Sequence, residues 1–178
     1  MARRIGIGEA LRGGPDAQMR VTLGSCVGLC LASTREPKFA LAHVLLPSMD
    51  SSVESSKFPP SRFASTVVPY LLEMLEIEGR ERRTLRAFIA GGASMFSGGS
   101  QRSQVGTDNA ARLQEELVAN RVSISASDLG GINGRQLVVD AQRGRVFTVC
   151  FDAEDSACDW ELPHVFRSSA MGDSEETR

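Results

Sequence analysis

Residues 21–46 read VTLGSCVGLCLASTREPKFALAHVLL, two apolar runs, Val21 to Leu31 and Phe39 to Leu46, around the polar stretch Ser33-Thr34-Arg35-Glu36-Pro37-Lys38. That pattern predicts a strand, a turn and a returning strand, a β-hairpin. Phe39, Leu41, His43 and Leu45 then share one face of the second strand. A two-residue turn at Thr34-Arg35 pairs residues whose numbers sum to 69 and sets Cys26 directly opposite His43, with Cβ atoms roughly 5 Å apart. A sum of 71 leaves the two diagonal on one face, whereas a sum of 70 sends His43 to the other face.

Working outward, Ile5-Gly6-Ile7-Gly8 predicts a short opening strand, followed by a Gly13-Gly14-Pro15-Asp16 turn. Pro47 to Pro60 is rich in Ser and Pro and predicts a surface loop placed to act as a lid. From Ser61 to Glu78, Phe63, Val67, Leu71 and Met74 recur at helical spacing, with Ser61 as a cap and Gly79 as a stop. Pro69 removes a donor and crowds the Ser65 carbonyl, which predicts a kink or a shortened first part. Thr84 to Ala90 reads as a buried strand ending at Gly91-Gly92, and Gly98-Gly99-Ser100 as a further loop. A second helix is predicted from about Gly106 to Asn120, with Asp108 near its start and Ala110, Leu113 and Leu117 along one side. Val122 to Ala126, Gln136 to Asp140 and Arg145 to Cys150 follow as strands, the last two joined at Gln142-Arg143-Gly144. Strands outnumber helices. Residues 1–167 are expected to form one domain, and 168–178 a disordered polar tail.

A chain of 178 residues with 42% hydrophobic and 24% charged residues can bury a core without disulfides or metals. The net charge of -2 gives no broad basic field, so no nucleic-acid partner is expected. No apolar run reaches the length of a membrane span and no hydrophobic signal follows Arg3 and Arg4, so no membrane insertion and a cytoplasmic location are expected. There, Cys26, Cys30, Cys150 and Cys158 are expected as reduced thiols.

The chemistry is carried by Thr22-Leu23-Gly24-Ser25-Cys26-Val27-Gly28. A glycine two residues before a cysteine permits a sharp turn and the approach of a substrate carbonyl, and nearby amides can hold an oxyanion. Taken alone, Gly-Ser-Cys is also the turn into a core strand, and His43 is also a core histidine bonded to a carbonyl. Together they form a nucleophile and a base, because a thiol with an ordinary pKa of about 8.5 needs help to ionise at neutral pH. A zinc site from Cys26, Cys30 and His43 is disfavoured, since residues four apart on a strand are roughly 13 Å apart. No cofactor is expected. His164 lies near the polar tail.

Ile5-Gly-Ile-Gly-Glu9, Leu23-Gly-Ser-Cys-Val27, Leu41-Ala-His-Val-Leu-Leu-Pro47, Ala90-Gly-Gly-Ala-Ser-Met-Phe96, Val105-Gly-Thr-Asp-Asn109, Asp128-Leu-Gly-Gly131 and Gly134-Arg135 resemble, in order and spacing, the chemoreceptor glutamine deamidases of bacterial chemotaxis, the CheD family. The resemblance implies an α/β layered sandwich of mixed and antiparallel sheet with two main helices packed on it. It further implies hydrolysis of receptor glutamine side chains to glutamate, methyl-accepting chemotaxis receptors as protein substrate, and a CheC-type phosphatase as a possible partner. Cys26 and His43 match the family's catalytic pair. The family's upstream threonine is replaced by Arg20 at the six-residue offset, and Thr22 is the nearest alternative third catalytic member. Backbone amides of Gly24 and Ser25 are the oxyanion candidates. Gly91, Gly92 and Ala93 are the substrate-contact candidates, and Asn109 is either a site residue or a helix-start hydrogen bonder.

Overall fold

A computed structural model describes residues 1–49, 57–94, 101–151 and 157–168. The expected lid is thus only partly covered, and residues 98–100 and 169–178 fall outside the described residues. In chain order the elements are β1 (Arg3–Arg4), β2 (Ala10–Gly13), β3 (Gln18–Leu23), β4 (Val27–Ser33), β5 (Phe39–Val44), α1 (Ala64–Met74), β6 (Leu85–Gly91), α2 (Gln101–Ala119), β7 (Ser123–Leu129), β8 (Arg135–Asp140), β9 (Arg145–Cys150), β10 (Asp159–Glu161) and α3 (Val165–Ser168). Short 3-10 turns at Pro60–Arg62 and Gly79–Thr84 flank α1.

Two five-stranded sheets result, ordered β1-β3-β8-β9-β10 and β2-β5-β4-β6-β7. Both are mixed, with β1/β3 and β6/β7 parallel and the other pairs antiparallel. Met19, Val21 and Leu23 of β3 and Leu137 and Val139 of β8 pack with Cys30, Ala32, Phe39, Leu41 and Phe88 of the second sheet. Val27, Leu29, Leu31, Ala40, Ala42 and Val44 point the other way, toward Val67, Val68 and Leu71 of α1 and Leu113 and Leu117 of α2. The molecule is therefore layered helix, sheet, sheet, the α/β sandwich the sequence implies. Strands β4 and β5 are buried along their whole length, which is why they read as unbroken apolar runs. At Gly28 the sheets come close: a Cβ there would lie 2.9 Å from Val21 Cγ2 and 3.0 Å from Leu137 Cδ2, so only hydrogen fits.

Several local expectations are corrected. Val21 to Leu31 is not one strand; the chain leaves the first sheet after Leu23 and enters the second at Val27. The hairpin turn is not the two-residue Thr34-Arg35 turn. Ser33 N–H donates to Lys38 O at 3.0 Å, while Ser33 Oγ accepts from Arg35 N at 3.1 Å and Glu36 N at 3.3 Å. That serine-anchored loop fixes the register at Gly28 opposite His43. Ile5-Gly-Ile-Gly is a turn after β1 rather than a strand, because Glu9 N donates to Gly6 O at 3.1 Å and its carboxylate accepts from Gly6 N at 2.8 Å. Ser61 does not cap α1; its hydroxyl donates to Gly8 O at 2.6 Å, and the helix starts after Phe63. Pro69 sits inside α1 on its exposed side, and Glu76, with φ 56°, provides the left-handed stop expected of Gly79.

Candidate active site

The three residues between the sheets, Gly24, Ser25 and Cys26, form a corner, and the corner is built rather than loose. Gly92 N donates to Cys26 O at 2.8 Å and Ala93 N donates to Gly24 O at 2.8 Å. Gly91, with φ 105°, lies so close that a Cβ on it would be 2.3 Å from Cys26 O. The Gly91-Gly92-Ala93 segment proposed as a substrate contact is therefore buried, and the amides of Gly92 and Ala93 are committed to holding the corner. The N–H groups of Gly24 and Ser25, by contrast, donate to no backbone acceptor among the described residues.

His43 projects from β5 into the layer between the sheets, on the face that also receives Cys26. Val27 pairs with Val44 and Gly28 stands opposite His43, so Cys26 lies one residue beyond the end of the β4/β5 ladder and not directly opposite the imidazole. Cys26 is 8% exposed and His43 4%. The Gly6–Glu9 turn straps the histidine backbone, since Gly8 N donates to His43 O at 2.8 Å and His43 N donates to Glu9 O at 2.9 Å. The same turn brings Ile5 O to 3.5 Å from His43 Nδ1. A carbonyl can only accept, so Nδ1 carries the hydrogen in this long contact and Nε2 presents its lone pair. Nε2 is buried and has no hydrogen-bond partner among the described residues.

Burial pushes the Cys26 thiol above its ordinary pKa; the Arg62 guanidinium and the residue's own N–H pull the other way without overcoming it. Burial likewise pushes His43 below its ordinary value, opposed by the Ile5 carbonyl, with Arg4 lowering it and Glu9 raising it. Both shifts favour the uncharged form of the group concerned.

Thr22 is not brought to the imidazole. On β3 the buried residues are Met19, Val21 and Leu23, so Thr22 lies on the outer face of the first sheet, its hydroxyl accepting from Gln136 Nε2 at 3.3 Å. Arg20 shares that face. The group that orients His43 is instead a backbone carbonyl, that of Ile5. Gly130 and Gly131 form a turn, with φ 79° and 74°, and Gly131 O accepts from Ser94 N at 2.8 Å.

Two more residues reach the corner. Arg62 contributes its carbonyl, which accepts from Leu45 N at 2.9 Å and Leu46 N at 3.2 Å, and its guanidinium carbon sits 4.7 Å from the centre of the Phe58 ring. Nothing in the sequence singled it out. Asn109 sits at the buried side of α2 and donates to Ser25 O and Leu45 O, both at 3.0 Å. Its signal was readable: with Leu113 and Leu117 it forms an i, i+4, i+8 stripe, and a polar residue on a buried stripe must satisfy a buried partner. Cys30 is fully buried and far above its ordinary pKa for that reason, Cys150 and Cys158 are half-buried and free, and His164 is exposed.

Among the described residues no helix is long and apolar enough to cross a membrane. A family model described as CheD chemotactic sensory transduction matches residues 45–149. A probable chemoreceptor glutamine deamidase CheD of Clostridium botulinum (strain Eklund 17B / Type B) is 36% identical over 146 residues, 80% of this chain and 89% of its own. The protein of the same description from Clostridium kluyveri is 38% identical over 146 residues, with the same coverage of each chain, 80% and 89%. Among solved structures, a Neisseria meningitidis protein of the family DUF152 superposes with a TM-score of 0.45 at 10% identity, covering 69% of this chain and 53% of that one.

Proposed function

The chain belongs to the CheD family, and from that premise we propose that it is a chemoreceptor glutamine deamidase whose nucleophile is Cys26 and whose general base is His43. What supports this pairing of nucleophile and base is that Cys26 is buried in the layer into which His43 projects, and that Nε2 of the histidine is buried with no hydrogen-bond partner among the described residues.

The chemistry follows from that pairing. Nε2 accepts the thiol proton as Sγ attacks the side-chain amide carbon of a receptor glutamine, forming a tetrahedral oxyanion facing the Gly24 and Ser25 amides. The imidazolium returns its proton to the departing nitrogen, which leaves as ammonia, and a thioester remains on Sγ. Water, deprotonated by Nε2, attacks the thioester carbon; the sulfur leaves and recovers a proton, and glutamate is released. The net reaction is amide plus water to carboxylate plus ammonium. The Ile5 carbonyl keeps Nε2 as the accepting nitrogen at both stages. Four free cysteines fit a reducing cytoplasm, and a CheC-type phosphatase is the regulatory partner to assay alongside the receptor.

The decisive experiment is incubation with a cytoplasmic receptor fragment, read by mass spectrometry as conversion of glutamine to glutamate. Cys26→Ala is expected to abolish conversion, and His43→Ala to slow it by about 10²- to 10⁴-fold. Conversion by the Cys26→Ala protein at the wild-type rate rules out the nucleophile.

A further inference from the structure

Resting on the reading of Cys26 as nucleophile, we infer that Asn109 is a positioning residue for the reaction: its side-chain amide is the rung that holds the nucleophile corner to the end of the histidine strand. The β4/β5 ladder ends at Val27 and Val44, one residue short of Cys26. Beyond that pair the strands no longer bond to each other, because Leu45 and Leu46 turn their N–H groups to the Arg62 carbonyl. Two carbonyls are left facing the helix layer, those of Ser25 and Leu45, and Asn109 reaches both from α2 with one Nδ2, at 3.0 Å each.

Chemistry fixes the orientation of this amide. Both partners are carbonyl oxygens, so the NH₂ group must face them; the reverse rotamer sets three acceptors against one another. The cost of the arrangement is visible at the other end, where Oδ1 is buried with no hydrogen-bond donor among the described residues. Asn109 is 0% exposed, and an asparagine held in a helix interior with one oxygen unsatisfied is poorly explained by helix stability alone. The two bonds it gains act on the residue before Cys26 and on the residue two beyond His43. They tie together the two segments that carry Cys26 and His43, between which the proton must pass, and small misplacements of reacting groups cost large factors in rate.

The test uses the full chain and compares wild type with Asn109→Ala, which removes both donors, and Asn109→Asp, which keeps the volume and regains one donor only when protonated. Deamidation of the receptor fragment gives kcat and KM, and mass-resolved alkylation by iodoacetamide gives the reactivity of Cys26 with buried Cys30 as internal reference. Expected are a fall in kcat of about 10- to 100-fold with KM within about twofold, and faster alkylation of Cys26 while Cys30 stays protected. For Asn109→Asp the rate relative to wild type should rise as pH falls. Wild-type kcat and unchanged Cys26 alkylation in Asn109→Ala overturn the inference. So does equal alkylation of Cys26 and Cys30, which makes Asn109 a support of the whole fold. Activity surviving in Cys26→Ala removes the nucleophile itself, a failure separate from both.

Discussion

Replacing Gly91 with alanine drives a methyl group into the backbone of the nucleophile corner. The added Cβ would lie 2.3 Å from Cys26 O and 3.2 Å from Leu23 Cβ, and the first of these is main chain that cannot swing aside. That carbonyl is also the acceptor for Gly92 N at 2.8 Å. Three costs add. Holding a non-glycine residue at φ 105° costs about 1–3 kcal/mol. Displacing packed atoms costs about 1–3 kcal/mol, and weakening the Gly92 hydrogen bond about 1 kcal/mol. The expected loss is roughly 3–7 kcal/mol, much of the stability of an ordinary domain.

Gly130 supplies the control. Its φ is 79°, yet beyond its chain neighbours no atom lies within 4 Å of where a methyl would sit, so Gly130→Ala carries only the backbone cost of about 1–3 kcal/mol. The difference between the two variants, about 2–4 kcal/mol, isolates the contact with Cys26. Urea unfolding of both proteins at one pH measures it. Thermal melting gives a second reading, at about 2–4 °C per kcal/mol for a chain of this size. Should Gly91→Ala unfold within about 1 kcal/mol of Gly130→Ala, the corner is not clamped in the way described.

The alkylation rate of Cys26 is expected to keep climbing from pH 7 to beyond pH 9, because the thiol is raised from 9.0 and only thiolate reacts; a plateau below pH 8 would mean a preformed ion pair with His43. The acid limb of kcat/KM should lie below pH 6.5, since His43 is depressed from that value and must be neutral to accept a proton. Thr22→Val should leave kcat within about twofold of wild type, because the hydroxyl faces away from His43; a loss of 100-fold or more in steady-state assays would restore it as a catalytic member. Asp128→Ala should cost about 3–5 kcal/mol in urea unfolding, because it strips the carboxylate from Arg135, whose side chain is 6% exposed, and from Thr148 Oγ1 at 2.6 Å.

What the sequence made legible and what it hid have physical reasons. Strands β4 and β5 were readable because both of their faces are buried, so apolar residues run without interruption. The odd register sum was readable too: 69 was expected, the serine-anchored loop sets 71, and both put residues 28 and 43 in the layer between the sheets. The break between β3 and β4 was hidden because Leu23 and Val27 are apolar on either side of it, and periodicity carries no mark of a change of sheet. That hidden break also misled the reading of Thr22. On one continuous strand residues 22 and 26 share a face, but the corner turns β3 so that Val21 and Leu23, not Thr22, face the second sheet. Ile5-Gly-Ile-Gly imitates strand alternation because glycine stands where a polar residue would, although the bonds are those of a turn. Strand β10 has three residues, two of them exposed carboxylates, too short for any period to show.

The electrostatics and the corner geometry answer the same requirement. A thiolate and an imidazolium at this position would each lose hydration, and burial is the leading cause of both pKa shifts. Keeping both groups uncharged avoids that cost, and burial of Cys26 favours the proton on Sγ. Among the groups that perturb the sulfur, Arg62 is the one cation, and its guanidinium rests against Phe58, 38% exposed at the surface. A thiol kept protonated in this way is a poor target for oxidants, which react with thiolate. At His43 the same balance holds: burial lowers the imidazole pKa more than the Ile5 carbonyl at 3.5 Å and the Glu9 carboxylate raise it.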